Sequence, residues 1–246
     1  MMNVKVFPST TALADFAAES FVQLAGESIR RCGLFTVALS GGSTPKLLYK
    51  ELAVSERQRS LAWENIHLFW GDERCVPPDH LDSNYRMARK TLLNEISIPE
   101  GNIHRVPAEL DARLAAFQYE EDLRGFFEGE WPRFDLVLLG MGDDGHTASL
   151  FPDSAGLNEE ERWFIANYAP KKQFWRLTLS KNAINAARNI LVLVQGTQKA
   201  DMIANVLTKG EGEYVKPIML ITPWDGRMVW ALDVEATSKL PPDLIT

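Results

Sequence analysis

The chain predicts an α/β protein: a Rossmann-like, mostly parallel sheet with helices on both faces. Short apolar or β-branched runs at 36–39, 66–70, 134–139, 190–194 and 218–221 are nearly continuous rather than alternating, the pattern of strands buried on both faces. Helical periodicities lie between them, and strands that alternate with helices imply parallel pairing with right-handed crossovers. Glycine-rich segments that carry polar side chains follow the strands directly, where open α/β sheets bind their ligands.

Each element has its own signal. An N-terminal strand leads into Ser9-Thr10-Thr11, after which Leu13, Phe16, Ala17, Phe21, Leu24 and Ala25 trace one face of an amphipathic helix. After the run at 36–39 comes Ser40-Gly41-Gly42-Ser43-Thr44-Pro45-Lys46, which predicts a helix start with Thr44 as N-cap and Pro45 in the first turn. The run at 66–70 ends in Gly71-Asp72-Glu73-Arg74, and Asp82-Ser83-Asn84-Tyr85 caps a further helix. Leu110, Leu114, Phe117, Leu123 and Phe127 outline another helix, whose face they would bury. Arg176 and Lys199 fall at the ends of two later strands. The Gly210-Glu211-Gly212-Glu213 patch and the Pro241-Pro242 tail are local, no repeat or long linker divides the chain, and one domain over 1–246 is expected.

Composition narrows the function. The 246 residues are 46% hydrophobic and 24% charged, an ordinary globular balance. With 26 Lys and Arg against 33 Asp and Glu, the net charge is -7, which speaks against a nucleic-acid partner because phosphate backbones need a clustered positive surface. An anionic small substrate would need its cations gathered locally. Cys32 and Cys75 have neither disulfide-framework nor zinc spacing, and no signal-peptide pattern or membrane-length apolar stretch occurs, so a soluble, cytoplasmic protein without membrane partners is expected.

The chemistry concentrates in loops. Gly41, Gly42, Ser43 and Thr44 at a helix entrance either cradle a phosphate with backbone N–H groups, hydroxyls and the positive helix end, or form an ordinary capped turn. Arg74 either forks onto a phosphate or pairs locally with Asp72 and Glu73. The densest segment is Gly140-Met141-Gly142-Asp143-Asp144-Gly145-His146-Thr147-Ala148-Ser149-Leu150-Phe151-Pro152. Its Gly-x-Gly-x-x-Gly spacing matches a dinucleotide fingerprint only superficially, since Asp143 and Asp144 would oppose a pyrophosphate and the βαβ context is missing. No nucleotide or other cofactor is expected. His146 beside two acids on a glycine-rich turn reads as an acid/base residue, against the alternative of a structural histidine bonded to the loop backbone. No compact ligand cluster appears, so no catalytic metal is expected.

These loops, together with Arg176-Leu177-Thr178-Leu179 and Gly196 to Lys199, resemble the 6-phosphogluconolactonase family over most of the chain. The resemblance implies a Rossmann-like fold and metal-independent hydrolysis of 6-phospho-D-glucono-1,5-lactone to 6-phosphogluconate, the second step of the oxidative pentose phosphate pathway. It makes His146 the base that activates water, with Asp144 orienting it or a ring hydroxyl, and Asp143 shaping the loop. It assigns substrate or phosphate contacts to Gly42, Ser43, Thr44, Asp72, Arg74, Arg176 and Lys199. Two alternatives share the pattern. In glucosamine-6-phosphate deaminase/isomerase the loop continues toward a glutamate that serves the histidine, where this chain has Phe151. Sugar-phosphate-sensing domains of transcription regulators are joined to a helix-turn-helix, which a chain opening at once on its first strand and helix is not expected to carry.

Overall fold

The computed structural model describes residues 3–208, 215–241 and 244; the acidic glycine patch at 210–213 and Pro242 lie outside the described residues. In chain order the elements are β1 (Asn3–Phe7), α1 (Thr10–Cys32), β2 (Phe35–Leu39), α2 (Ser43–Leu52), α3 (Ser55–Ser60), β3 (Ile66–Trp70), β4 (Asp72–Arg74) and α4 (Asn84–Thr91). They continue with β5 (Ile103–His104), α5 (Ala112–Phe126), β6 (Leu136–Leu139), β7 (Phe164–Ala169), β8 (Phe174–Leu179), α6 (Lys181–Asn185), β9 (Asn189–Val194), α7 (Ala200–Thr208) and β10 (Arg227–Asp233).

Seven strands form one parallel sheet in the order β1-β10-β9-β6-β2-β3-β5. Every residue of β2 and β6 is buried, which explains why those runs are apolar without alternation. From β2 the chain moves outward to β3 and β5; from β6 it moves the other way, to β9 and β10. This reversal opens a crevice between the carboxyl ends of β2 and β6, the topological switch point of the sheet. A second, antiparallel sheet, β4-β8-β7, stands beside the crevice. Glu73 secures it: its buried carboxylate accepts from the backbone N–H groups of Arg74, Asn84 and Tyr85 and from Ser83 Oγ, so β4 is tied to the start of α4.

Helix α1 follows the reading closely, with Ser9 Oγ accepting from Ala12 N and Gly33 closing the helix at φ 83°. Ser83 is the N-cap of α4, as its motif indicated. Four expectations are corrected. The run at 218–221 is a 3-10 turn, Pro217–Leu220, rather than a strand. Pro217 has no N–H for a ladder, and Ile218 N instead donates to Gly145 O at 3.1 Å. The sheet position is taken by β10. In α5 the buried face is Ala115, Ala116, Tyr119, Glu120 and Leu123, while Leu114 and Phe117 are exposed, because Tyr119 is drawn inward to satisfy Trp70 N. In α2 the N-cap is Gly42, and Thr44 is inside the helix. Arg176 lies within β8, not at a strand end.

At the outer strands, His67 Nδ1 and His104 Nε2 are 3.0 Å apart, and the His104 ring stacks on Phe69. Burial, then the charge of His67, pushes His104 down to about 4, and burial lowers His67 as well. Unfolded histidine takes up its proton near pH 6.5, so between there and about pH 4 the unfolded chain binds protons that the folded chain refuses. Stability is therefore expected to fall as pH drops through this window. Urea unfolding at pH 7 and pH 5 checks this: His104→Phe, which keeps the stack on Phe69, should show a smaller drop than the unsubstituted protein.

Candidate active site

The crevice holds a cavity of about 360 Å³ lined by the loops after β2, β6 and β9, by β4 and by the β7–β8 hairpin. Gly42, Ser43, Thr44, Asp72, Arg74, His146, Arg176 and Lys199 all line it. Asp144 stands behind His146 and reaches the cavity through that ring.

The β2–α2 loop shows why glycine is required. Gly42 holds φ 105°, a conformation that L side chains rarely adopt, and a Cβ on Gly41 would sit 2.0 Å from Asn84 Oδ1. With Gly42 at the cap, no side chain accepts from the first turn of α2. Those N–H groups and the positive helix end face the cavity, where a phosphate could satisfy them.

Arg74 and Arg176 are directly opposite each other in the β4–β8 pair. Like charges in register repel. Burial, followed by the charge of Arg74, lowers the pKa of Arg176. The side-chain hydrogen bonds of these arginines go to the Asp82 and Trp175 carbonyls, and neither has a carboxylate within ion-pair distance among the described residues. The local pairing of Arg74 with Asp72 and Glu73 is thus not formed. Asp72 instead accepts from Ser149 Oγ at 2.8 Å, bracing the central loop against β4. Lys199 pairs with Asp143, which gives that acid a role in placing a cation as well as in shaping its loop.

His146 is set by its own loop. Gly142 N donates to His146 O at 2.8 Å, and Asp144 Oδ1 accepts both His146 N at 3.1 Å and His146 Nδ1 at 2.5 Å. Burial opposes ionisation of Asp144, but the hydrogen bonds from His146 and the Lys172 ammonium, 3.9 Å from Oδ2, bring its pKa below the usual carboxylate value. An ionised carboxylate can only accept, so it assigns the proton to Nδ1 and leaves the Nε2 lone pair free as a base. The imidazole therefore bonds a carboxylate, not the loop backbone. On its other side it packs on Phe151, with ring centroids 4.6 Å apart. Ala148, between the two in the chain, holds a positive φ of 46°.

Sequence reasoning missed Lys172, Gln195 and Gln198, which also line the cavity. The Lys171-Lys172 doublet ahead of β8 was the available signal for the first; the glutamines flank Gly196 in a motif already quoted. Among the described residues no group of three or more His, Cys, Asp or Glu is gathered as a metal would require, and no helix is long and apolar enough to cross a membrane.

Fold and site together define an α/β protein that can receive a small anionic ligand beside a carboxylate-held histidine. The chain belongs to the family of glucosamine-6-phosphate isomerases/6-phosphogluconolactonase, whose model matches residues 8–230. It is 41% identical to a 6-phosphogluconolactonase of Nostoc sp. over 242 residues, covering 97% of this chain and 98% of the relative. It is 43% identical to a 6-phosphogluconolactonase of Synechocystis sp. over 220 residues, covering 88% of this chain and 89% of that one. The solved 6-phosphogluconolactonase of Trypanosoma cruzi superposes with a TM-score of 0.85 at 31% identity, covering 98% of this chain and 97% of its own.

Gly142 has little freedom to change: a Cβ there would lie 1.9 Å from His146 Nδ1. Gly142→Ala is expected to push the imidazole off Asp144 and to lower turnover by about 10²-fold or more, the usual worth of a positioned base. Loss of the downfield Nδ1 proton resonance of His146 in the variant checks the cause independently of activity.

Proposed function

We propose that this protein hydrolyses 6-phospho-D-glucono-1,5-lactone to 6-phosphogluconate, the second step of the oxidative pentose phosphate pathway. The observation that carries the reading is the His146 ring, held by Asp144 on one side and packed on Phe151 on the other, in a cavity that also gathers Arg74, Arg176 and Lys199. Strong similarity to 6-phosphogluconolactonases over nearly the whole chain supports it. Phe151 occupies the position where the deaminase pattern has a glutamate, and an apolar ring cannot perform a carboxylate's proton transfers.

In this reading the first turn of α2 with Ser43 and Thr44, and the cations Lys199, Arg74 and Arg176, hold the 6-phosphate. Holding the phosphate fixes C1 of the lactone near His146, and this positioning supplies much of the rate. Neutral His146 takes a proton on Nε2 as water attacks C1; the new C–O bond forms while the carbonyl oxygen gains negative charge. When the tetrahedral intermediate collapses, the bond from C1 to the ring oxygen breaks and the imidazolium returns its proton to that oxygen. Asp144 stabilises the imidazolium between these steps. Water is the only co-reactant, and none of these steps calls for a covalent enzyme intermediate, a metal or an organic cofactor. A cytoplasmic location goes with this reading, as do two free cysteines.

Protein treated with a chelator should open freshly made 6-phosphogluconolactone well above the spontaneous rate and release no ammonia from glucosamine 6-phosphate. Ammonia release would move the assignment to the deaminase; tight phosphosugar binding with neither activity would make the chain a sensor. Separately, His146→Ala should lose roughly 10²–10⁴-fold in kcat with little change in phosphosugar affinity. A kcat within about threefold of the unsubstituted protein would remove His146 from the mechanism.

A further inference from the structure

The loop from β9 to α7 places Gln195, Gln198 and Lys199 in the cavity, yet little inside that loop explains its position. Its Gly196 holds φ 89°. Gln195 Nε2 donates to Ser43 Oγ at 3.1 Å, while Gln195 Oε1 is a buried oxygen without a hydrogen-bond partner. Lys199 forms an ion pair with Asp143, a residue of another loop. A segment with an unsatisfied buried acceptor and a left-handed turn needs an external anchor to stay in place.

The anchor is Asp233, the last residue of β10, which is 2% exposed and lies beyond the matched family region at 8–230. Both of its carboxylate oxygens accept from Gly196 N, at 2.9 and 3.1 Å. Oδ1 also accepts from Ala236 N at 2.8 Å, and Oδ2 from Thr10 Oγ1 at 3.3 Å. Gly196 O in turn accepts from Lys199 N at 3.0 Å, so a single residue, Gly196, connects the buried carboxylate to the backbone of the cavity lysine. No Lys or Arg lies within ion-pair distance of Asp233 among the described residues, which leaves these N–H and O–H donors as its compensation.

We infer that Asp233 is a positioning residue for phosphate recognition: it sets the register of the Gly196 turn and thereby aims Lys199 at the ligand's phosphate. This rests on the phosphosugar reading of the site. Asp233 touches no ligand and takes no part in proton transfer. Its effect therefore belongs in the affinity for the phosphorylated ligand and not in the rate of the bound complex.

Asp233→Asn replaces one accepting oxygen with an NH2 group that faces N–H donors. In steady-state kinetics it should raise KM for 6-phosphogluconolactone about tenfold or more, the scale of one hydrogen bond to a charged group, while kcat stays within about threefold. KM for unphosphorylated gluconolactone should not move. In a double-mutant cycle, Lys199→Ala should cost much less in the Asp233→Asn background than alone, and Asp233→Glu should recover part of the affinity. Additive effects, or equal losses on both lactones, would show a purely structural carboxylate and overturn the inference. Where Asp233→Asn fails to fold, Thr10→Val, which removes one donor, should give a smaller shift with the same selectivity for the phosphorylated lactone. Calorimetric titration with 6-phosphogluconate keeps the two readings apart: loss of its affinity in Asp233→Asn supports the positioning role even if the unsubstituted protein fails to hydrolyse the lactone.

Discussion

The reversal of strand order at the parallel β2–β6 pair is the constraint on which the site depends. Two adjacent parallel strands whose connections leave in opposite directions cannot both be covered by the same crossover, so their carboxyl ends stay open. Into that opening project the first turn of α2, the loop from Gly140 to Gly142 and His146, and the loop from Gln195 to Lys199. Complete burial of β2 and β6 makes the opening rigid, and a rigid frame is what lets short loops hold His146 and the cavity cations in fixed relation.

Electrostatics then resolves the problem of an acidic protein that receives an anion. With a net charge of -7, the chain cannot rely on its overall field. It concentrates cations instead. Arg74 and Arg176 are brought into register by the small antiparallel sheet, a costly arrangement without an anion between or near them. The acids of the same region are occupied elsewhere: Glu73 caps α4, Asp72 holds Ser149, Asp143 meets Lys199 and Asp144 orients His146. Each carboxylate is thereby kept from neutralising the arginine pair.

Glycine decides how closely these parts approach. At Gly142 the limit is distance, because the imidazole occupies the space of a Cβ; at Gly42 it is the backbone angle that leaves the α2 entrance without a side-chain cap. The two positions look alike in sequence but act through different physics.

Much of this was legible in the chain. Continuous apolar runs gave four strands of the parallel sheet because burial on both faces leaves a local composition signal, and a glycine-rich turn with two acids and a histidine marks its own chemistry. The run at 218–221 misled because Pro217 and the bond from Ile218 N to Gly145 O outweigh β propensity, and Leu114 and Phe117 misled because Tyr119 has a distant partner to satisfy. Thr44 was displaced from the cap by a glycine angle that no composition reveals. The sequence by itself determined the strands, the loops and the residues able to do chemistry, since these follow from local periodicity and side-chain type. Only the tertiary structure decided that Arg74 faces Arg176, that Lys172 approaches Asp144 and that Asp233 holds Gly196, because each contact joins segments far apart in the chain whose meeting is fixed by strand register and packing.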